Sequence, residues 1–193
     1  MSGPDPRAPE VGEAVDDRTF RHTLGLFATG VSVIAAEIDG GVHAMTANAV
    51  SSVSLDPKLI LFCPSRRARF SQLLPGVESF TVNFLRDEQQ CLSTYFAGGW
   101  KESAPPPYRF VHDGTAPRLQ GALATLHCCK HAVHEAGDHW LVIGRVVRIH
   151  QGSDPHRPLL FFKGQYRALE PGGGIPGPDL TRVDDEPALI YYD

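Results

Sequence analysis

The 193-residue sequence predicts a mainly β protein, a closed or partly open barrel with short flanking helices. Three observations carry this. Six or more runs have strand length and strand character, including residues 31–38, 42–53, 79–85, 122–135 and 139–150. Tight-turn signals separate several of them: Asp39-Gly40-Gly41, Ala136-Gly137-Asp138 and Lys163-Gly164. Strands do not alternate with helices and no G-x-G-x-x-G follows a strand, which argues against a doubly wound sheet.

In chain order, residues 1–16 are rich in Pro, Gly and acid and are expected to be disordered. Asp16 or Asp17 is placed to cap a short helix. Its apolar stripe is Phe20, Leu24 and Phe27, and Gly30 is placed to end it. A strand over 31–38 turns at Asp39-Gly40-Gly41 into a returning strand over 42–53, which Asp56-Pro57 terminates. Residues 58–63 read as a short buried strand, and 66–74 as one or two helical turns stopped by Pro75-Gly76. A strand follows at 79–85, then a helix capped by Asp87 and running through Ala97. Residues 98–114 form a long loop, a length that is often functional. The long hairpin of 122–135 and 139–150 precedes a last hairpin, 159–162 with 165–169. A Gly/Pro-rich linker and an acidic, aromatic tail occupy 171–193. One domain, 17–170, is thus expected between two short terminal segments.

The formal net charge of −4 is unevenly placed. Residues 1–17 and 171–193 each hold five acids and one base, so the body between them is mildly positive. That suits a phosphorylated cofactor and is too weak to argue for nucleic acid. No apolar run is long enough for a bilayer, and the start at Met1 has neither a basic nor an apolar signal region. A cytoplasmic location and no membrane contact are the expectations. Cys63 and Cys91 are isolated and Cys128-Cys129 adjacent, a poor disulfide framework; Cys63 and Cys128 lie in apolar strand patterns. His127, Cys128, Cys129, His131 and His134 are spread along one strand without a paired C-x-x-C, so no metal is expected. The absence of G-x-S-x-G and H-E-x-x-H speaks against hydrolysis.

The run 43–57 is the most informative part of the chain. Alternation puts Thr46, Asn48, Val50, Ser52 and Ser54 on one face, and Ala47, Ala49, Ser51 and Val53 on the other. Small side chains let a flat ligand approach the backbone, and hydroxyl and amide groups offer donors to its heteroatoms. The same pattern also suits a half-buried barrel strand whose hydroxyls bond to neighbouring backbone.

An ordered set of segments decides between these readings. Phe27-Ala28-Thr29-Gly30-Val31-Ser32-Val33-Ile34 precedes the run. Leu61-Phe62-Cys63, Phe80-Thr81-Val82-Asn83-Phe84-Leu85, Ala124-Thr125-Leu126-His127-Cys128, Gly137-Asp138-His139, Gly144-Arg145-Val146, Pro158-Leu159-Leu160-Phe161-Phe162 and Gly164-Gln165-Tyr166 follow it. In order and spacing, from about Phe20 to Leu169, the chain resembles the flavin-reductase-like family. The resemblance implies a Greek-key split β-barrel, a homodimer, and FMN or FAD bound near the dimer interface. It implies that Met45, Thr46, Ala47, Asn48 and Ala49 line the isoalloxazine edge. Ser52 and Ser54 would reach toward the ribityl chain or fix the strand, and Cys63 would border the cofactor.

Flavin phosphate is expected at residues 65–69. The family usually places small hydroxyl residues there; in this chain Ala68 and Arg69 stand where Ser or Thr is expected, and Arg66 and Arg67 precede them. Guanidinium groups pair well with phosphate and are the expected replacement. The resemblance places His139 beside the flavin where the nicotinamide of NADH or NADPH stacks. The implied function is an NAD(P)H-dependent flavin reductase supplying reduced flavin to a separate monooxygenase. Two alternatives stand beside it: a flavin-retaining enzyme with another substrate, and a non-catalytic flavin- or tetrapyrrole-binding module.

Overall fold

A computed structural model describes residues 15–152 and 156–170. The expectations of a disordered start and of a linker and tail at 171–193 lie outside these, apart from Val15 and Asp16.

The first helix, α1 (Asp17–Leu24), is capped as anticipated: the Asp16 carboxylate accepts from the amides of Arg18 and Thr19 at 2.9 and 3.0 Å. It ends earlier than expected. Gly25 caps it, and the Gly25 carbonyl accepts from the Lys163 amide at 2.8 Å, fixing the helix end to a distant hairpin. Gly30 instead lies in β1 (Thr29–Gly30). The apolar stripe is uncovered, with Phe20, Leu24 and Phe27 all exposed and Phe27 at 76%.

Then follow β2 (Ser32–Ile38), β3 (Gly41–Ala47), β4 (Val50–Leu55), β5 (Lys58–Phe62), α2 (Arg69–Leu73), β6 (Ser79–Phe84) and α3 (Gln90–Phe96). The short hairpin β7 (Phe110–Val111) and β8 (Arg118–Leu119) leads to the long hairpin β9 (Ala124–Ala136) and β10 (His139–Gln151). The last hairpin is β11 (Leu160–Phe162) and β12 (Gln165–Arg167), which joins β1 in a small sheet. Two turns have positive φ at both central residues, Asp39-Gly40 and Lys163-Gly164, the geometry that matches strand twist. The helix expected from Asp87 opens with a short turn over 87–89 whose cap is Arg86, with the Gln89 side chain accepting the Arg86 amide at 3.0 Å. The Asp87 carboxylate accepts from the adjacent Glu88 amide at 2.9 Å and meets Arg157 at 2.7 Å.

Seven strands form the main sheet in the order β3-β2-β6-β9-β10-β5-β4, every pairing antiparallel. The run 42–53 is therefore not one strand of one ladder. Its first half pairs with β2 and its second half with β5, at opposite edges of the sheet. Laid flat, seven strands would set those edges about 29 Å apart. Only Asn48 and Ala49 separate β3 from β4, so Ala47 and Val50 are at most about 11 Å apart. The sheet must curl until its edges converge there. Six antiparallel steps also give β3 and β4 the same sense, so β4 continues β3 rather than folding back. The result is a barrel split along a seam that starts at Asn48.

The barrel interior is packed by Ile34, Phe62, Phe80, Val82, Cys128 and Val142, with Phe70 and Leu74 from the α2 region closing it. Phe80 stands edge-on to Phe62 at 5.1 Å. A Cβ at Gly144 would lie 2.4 Å from Phe80, so only glycine fits over that ring. Burial pushes the Cys128 thiol up to about 12, in keeping with a packing role. The opposite face of β2 and β6 is covered by a second cluster containing Val33, Leu85, Leu92, Leu119 and Leu159.

A polar knot crosses this second layer. Fully buried Asn83 donates to the Val33 carbonyl at 2.9 Å and the Thr81 hydroxyl at 3.0 Å. Its carbonyl accepts from the Leu119 amide at 2.8 Å and the Thr125 hydroxyl at 3.0 Å. Thr81 in turn donates to the Pro117 carbonyl at 2.6 Å.

His127 is fully buried, with neither ring nitrogen hydrogen-bonded and Nε2 4.0 Å from Asp113. Among the described residues no three His, Cys, Asp or Glu side chains gather to hold a metal. Burial lowers the His127 pKa; Asp113 opposes this, while Arg148, Arg118 and His150 add to it. The unfolded chain thus binds the proton more readily than the folded one. Stability is expected to be full above the ordinary histidine value of 6.5 and to fall as pH drops below it toward the lowered folded-state value. Thermal melts of the protein and of His127→Leu check this: an equal slope in both would remove His127 as the cause.

Candidate functional site

The seam opens into a cleft of about 310 Å³. The end of β3 supplies Met45, Thr46 and Ala47, and the link supplies Asn48 and Ala49. Cys63 follows β5, Ala68 precedes α2, and His139 opens β10. Alanines at 47, 49, 68 and 97 take up little of this space, beside the larger Met45, Phe96 and His139, and leave room for a planar ring.

Backbone latches hold these walls together. The Cys63 amide donates to the Ala49 carbonyl at 3.1 Å. The Trp140 amide donates to the Pro64 carbonyl at 3.0 Å, and the Arg66 amide to the Asp138 carbonyl at 2.9 Å, which carries His139 to the segment after β5. The Thr46 hydroxyl donates to the Ser93 carbonyl at 2.7 Å and ties β3 to α3. Ser93 Oγ lies 2.9 Å from the Tyr166 hydroxyl, linking the small sheet.

Asn48 and Ala49 also border a neighbouring hollow of about 580 Å³, with Cys63 on its wall too. Ser52 lines a third, of about 610 Å³, again with Asn48. Ser54 lines none of these clefts. The expected single face from Thr46 to Ser54 is thus broken at the link. Burial raises the Cys63 thiol above its ordinary value.

The three arginines diverge. Arg66 lies 3.4 Å from Glu135 and 4.9 Å from the Trp140 ring, on the outside of the long hairpin. The Arg67 amide donates to the Ser65 hydroxyl at 3.4 Å, and its charge helps lower the Asp138 carboxyl. Arg69 borders a different cleft from Ala68. The amides of Ala68 and Ser71 are already taken by the carbonyls of Ser65 and Ala68.

His139 Nδ1 lies 2.7 Å from Asp138 Oδ1. The hydrogen bond from His139, then its charge, holds the Asp138 carboxyl below the usual range, so the carboxylate accepts and Nδ1 donates. Ser65, from the segment expected to meet the flavin phosphate, also lines the cleft, and two residues outside every expected site segment complete it, Phe96 and Ala97. The last two belong to the end of α3, and nothing in their local spacing marks them as walls of a seam made by β3.

Residues 24–170 match the family described as "Flavin reductase like domain". The chain belongs to this family. A flavin-dependent monooxygenase, reductase subunit HsaB, from Rhodococcus jostii strain RHA1 is 37% identical over 172 residues, covering 86% of this chain and 85% of that protein. An NADH-dependent flavin reductase from a Rhodococcus species is 39% identical over 166 residues, covering 84% and 92%. Among solved structures, flavin reductase PheA2 in its native state aligns with a TM-score of 0.76 at 41% identity, covering 81% of this chain and all of that one. Within this flavin-reductase family framework, the Asn48 link stands where the chain changes partner strands. Among the described residues no helix is long and apolar enough to cross a membrane.

Proposed function

We propose that residues 17–170 form an NAD(P)H:flavin oxidoreductase that supplies reduced FMN or FAD to a separate monooxygenase. The observation that carries the reading is the slot between Met45–Ala49 and His139, walled by alanines. When bound, the flavin supplies the ring that accepts a hydride from the nicotinamide. The chain's part is to hold and align. Backbone groups of 46–49 and the Asn48 amide are the candidate donors to the pyrimidine edge, where charge develops on reduction. The Thr46 hydroxyl is spent on α3 and acts by positioning. Ser52, by way of the Asn48 corner, is the candidate contact for the chain beyond the ring; Arg67 and Arg69 are better placed for phosphate than Arg66, which Trp140 and Glu135 engage.

Hydride transfer needs alignment more than acid or base, so His139 is assigned to orient the nicotinamide. In His139→Ala, kcat/KM for NADH is expected to fall on the order of 10- to 100-fold while the flavin Kd stays within about threefold. Stopped-flow kinetics and flavin fluorescence titration measure the two. Equal nicotinamide kinetics in both proteins would remove the role.

A homodimer fits the uncovered apolar residues: Phe20 on α1, Leu24 and Phe27 beside the seam, and Leu55, Val147 and Ile149 on the barrel wall. Four free thiols accord with a cytoplasmic setting. The deciding assay is NAD(P)H oxidation with added FMN or FAD. Turnover of free flavin supports the reductase. A yellow protein that ignores added flavin would favour a flavin-retaining enzyme, and neither behaviour would favour a binding module.

A further inference from the structure

A second cleft, about 380 Å³, adjoins the slot. Phe96 lines both, and the consecutive residues Ala68 and Arg69 line one each, so the two share a wall and form adjoining compartments of one groove. The second compartment has a different chemistry. Tyr95 and Phe96 from α3 and Tyr108 from the long loop give it an aromatic wall, with Tyr108 centred 5.6 Å from Tyr95 and 5.1 Å from Phe96. Tyr108 stays 40% exposed despite these neighbours. Burial, then its contacts with Tyr95, raises the Tyr108 hydroxyl above its ordinary value, so the ring stays neutral. Arg69 and His43 supply positive or proton-donating groups, and no carboxylate lines the cleft. Among the described residues no acid pairs with Arg69.

An aromatic platform beside an unpaired guanidinium suits a ligand that is flat at one end and anionic at the other. We propose that this compartment binds the adenylate half of a dinucleotide, its purine against Tyr108 and its phosphates against Arg69. The inference rests on the flavin reading, since it places that half next to a flavin ring in the slot. Both FAD and NADH carry adenylate, and the two sources separate experimentally.

If FAD is the source, the protein binds FAD about tenfold more tightly than FMN, the size of one base–aromatic stack. In fluorescence titrations 5′-AMP then weakens FAD binding toward that of FMN and leaves FMN unaffected. Tyr108→Ser removes the FAD:FMN ratio and Tyr108→Phe preserves it. If NADH is the source, FAD and FMN bind alike, and Tyr108→Ser raises KM for NADH about tenfold with saturating FMN, while Tyr108→Phe does not. FMN binding with no FAD advantage, no effect of 5′-AMP and no change in either quantity in Tyr108→Ser overturns the inference alone. Failure to bind either flavin overturns the flavin reading and this inference together.

Discussion

Asn83→Ala is expected to lower folding stability by about 3–5 kcal/mol, a large share of the roughly 5–15 kcal/mol of a typical domain. Asn83 serves β2, β6, β8 and β9 through four hydrogen bonds within a layer that excludes water. Removing the amide leaves the Leu119 N–H and the Thr125 hydroxyl without that acceptor, and each buried orphan costs about 1–3 kcal/mol. Asn83→Leu is expected to be no better, because an apolar side chain restores none of those partners. Urea unfolding measures the shift in midpoint. A change under about 1 kcal/mol would mean that the knot contributes little beyond packing.

Ala49→Trp is expected to weaken FMN and FAD binding at least about 100-fold, near 2.7 kcal/mol, without lowering the melting temperature. Ala49 is exposed and sits on the wall shared by the slot and its larger neighbour, so the indole fills space that a flavin needs. Its backbone carbonyl, which accepts from Cys63, is untouched by the change. Titration of flavin fluorescence reads the outcome. Undiminished affinity in a well-folded variant would place the flavin outside this slot.

Much of the architecture could be read from local chemistry. Asp39-Gly40 and Lys163-Gly164 announce their turns because left-handed backbone is cheap for glycine and tolerable for its partner. Asp16 announces its helix because a carboxylate can accept two amides there. The long hairpin at 124–151 follows from two uninterrupted strand patterns. What escaped a linear reading depends on partners far along the chain. The switch at Asn48 arises from which strand stands beside each half of the run, and alternation carries no information about that. Arg66 is held by Glu135 and Trp140, some seventy positions away. The stripe on α1 has the right period for burial, yet periodicity cannot say whether the surface it meets belongs to the same chain.

Because a single segment furnishes both lips of the seam, its composition and its length answer to different demands. Changing Asn48 or Ala49 alters what the slot recognises and removes none of the partners of the Asn83 hydrogen bonds. Inserting one residue between Ala47 and Val50 would rotate every side chain of β4 to the opposite face of the sheet. Diversification at this corner is therefore open to substitution and closed to insertion or deletion.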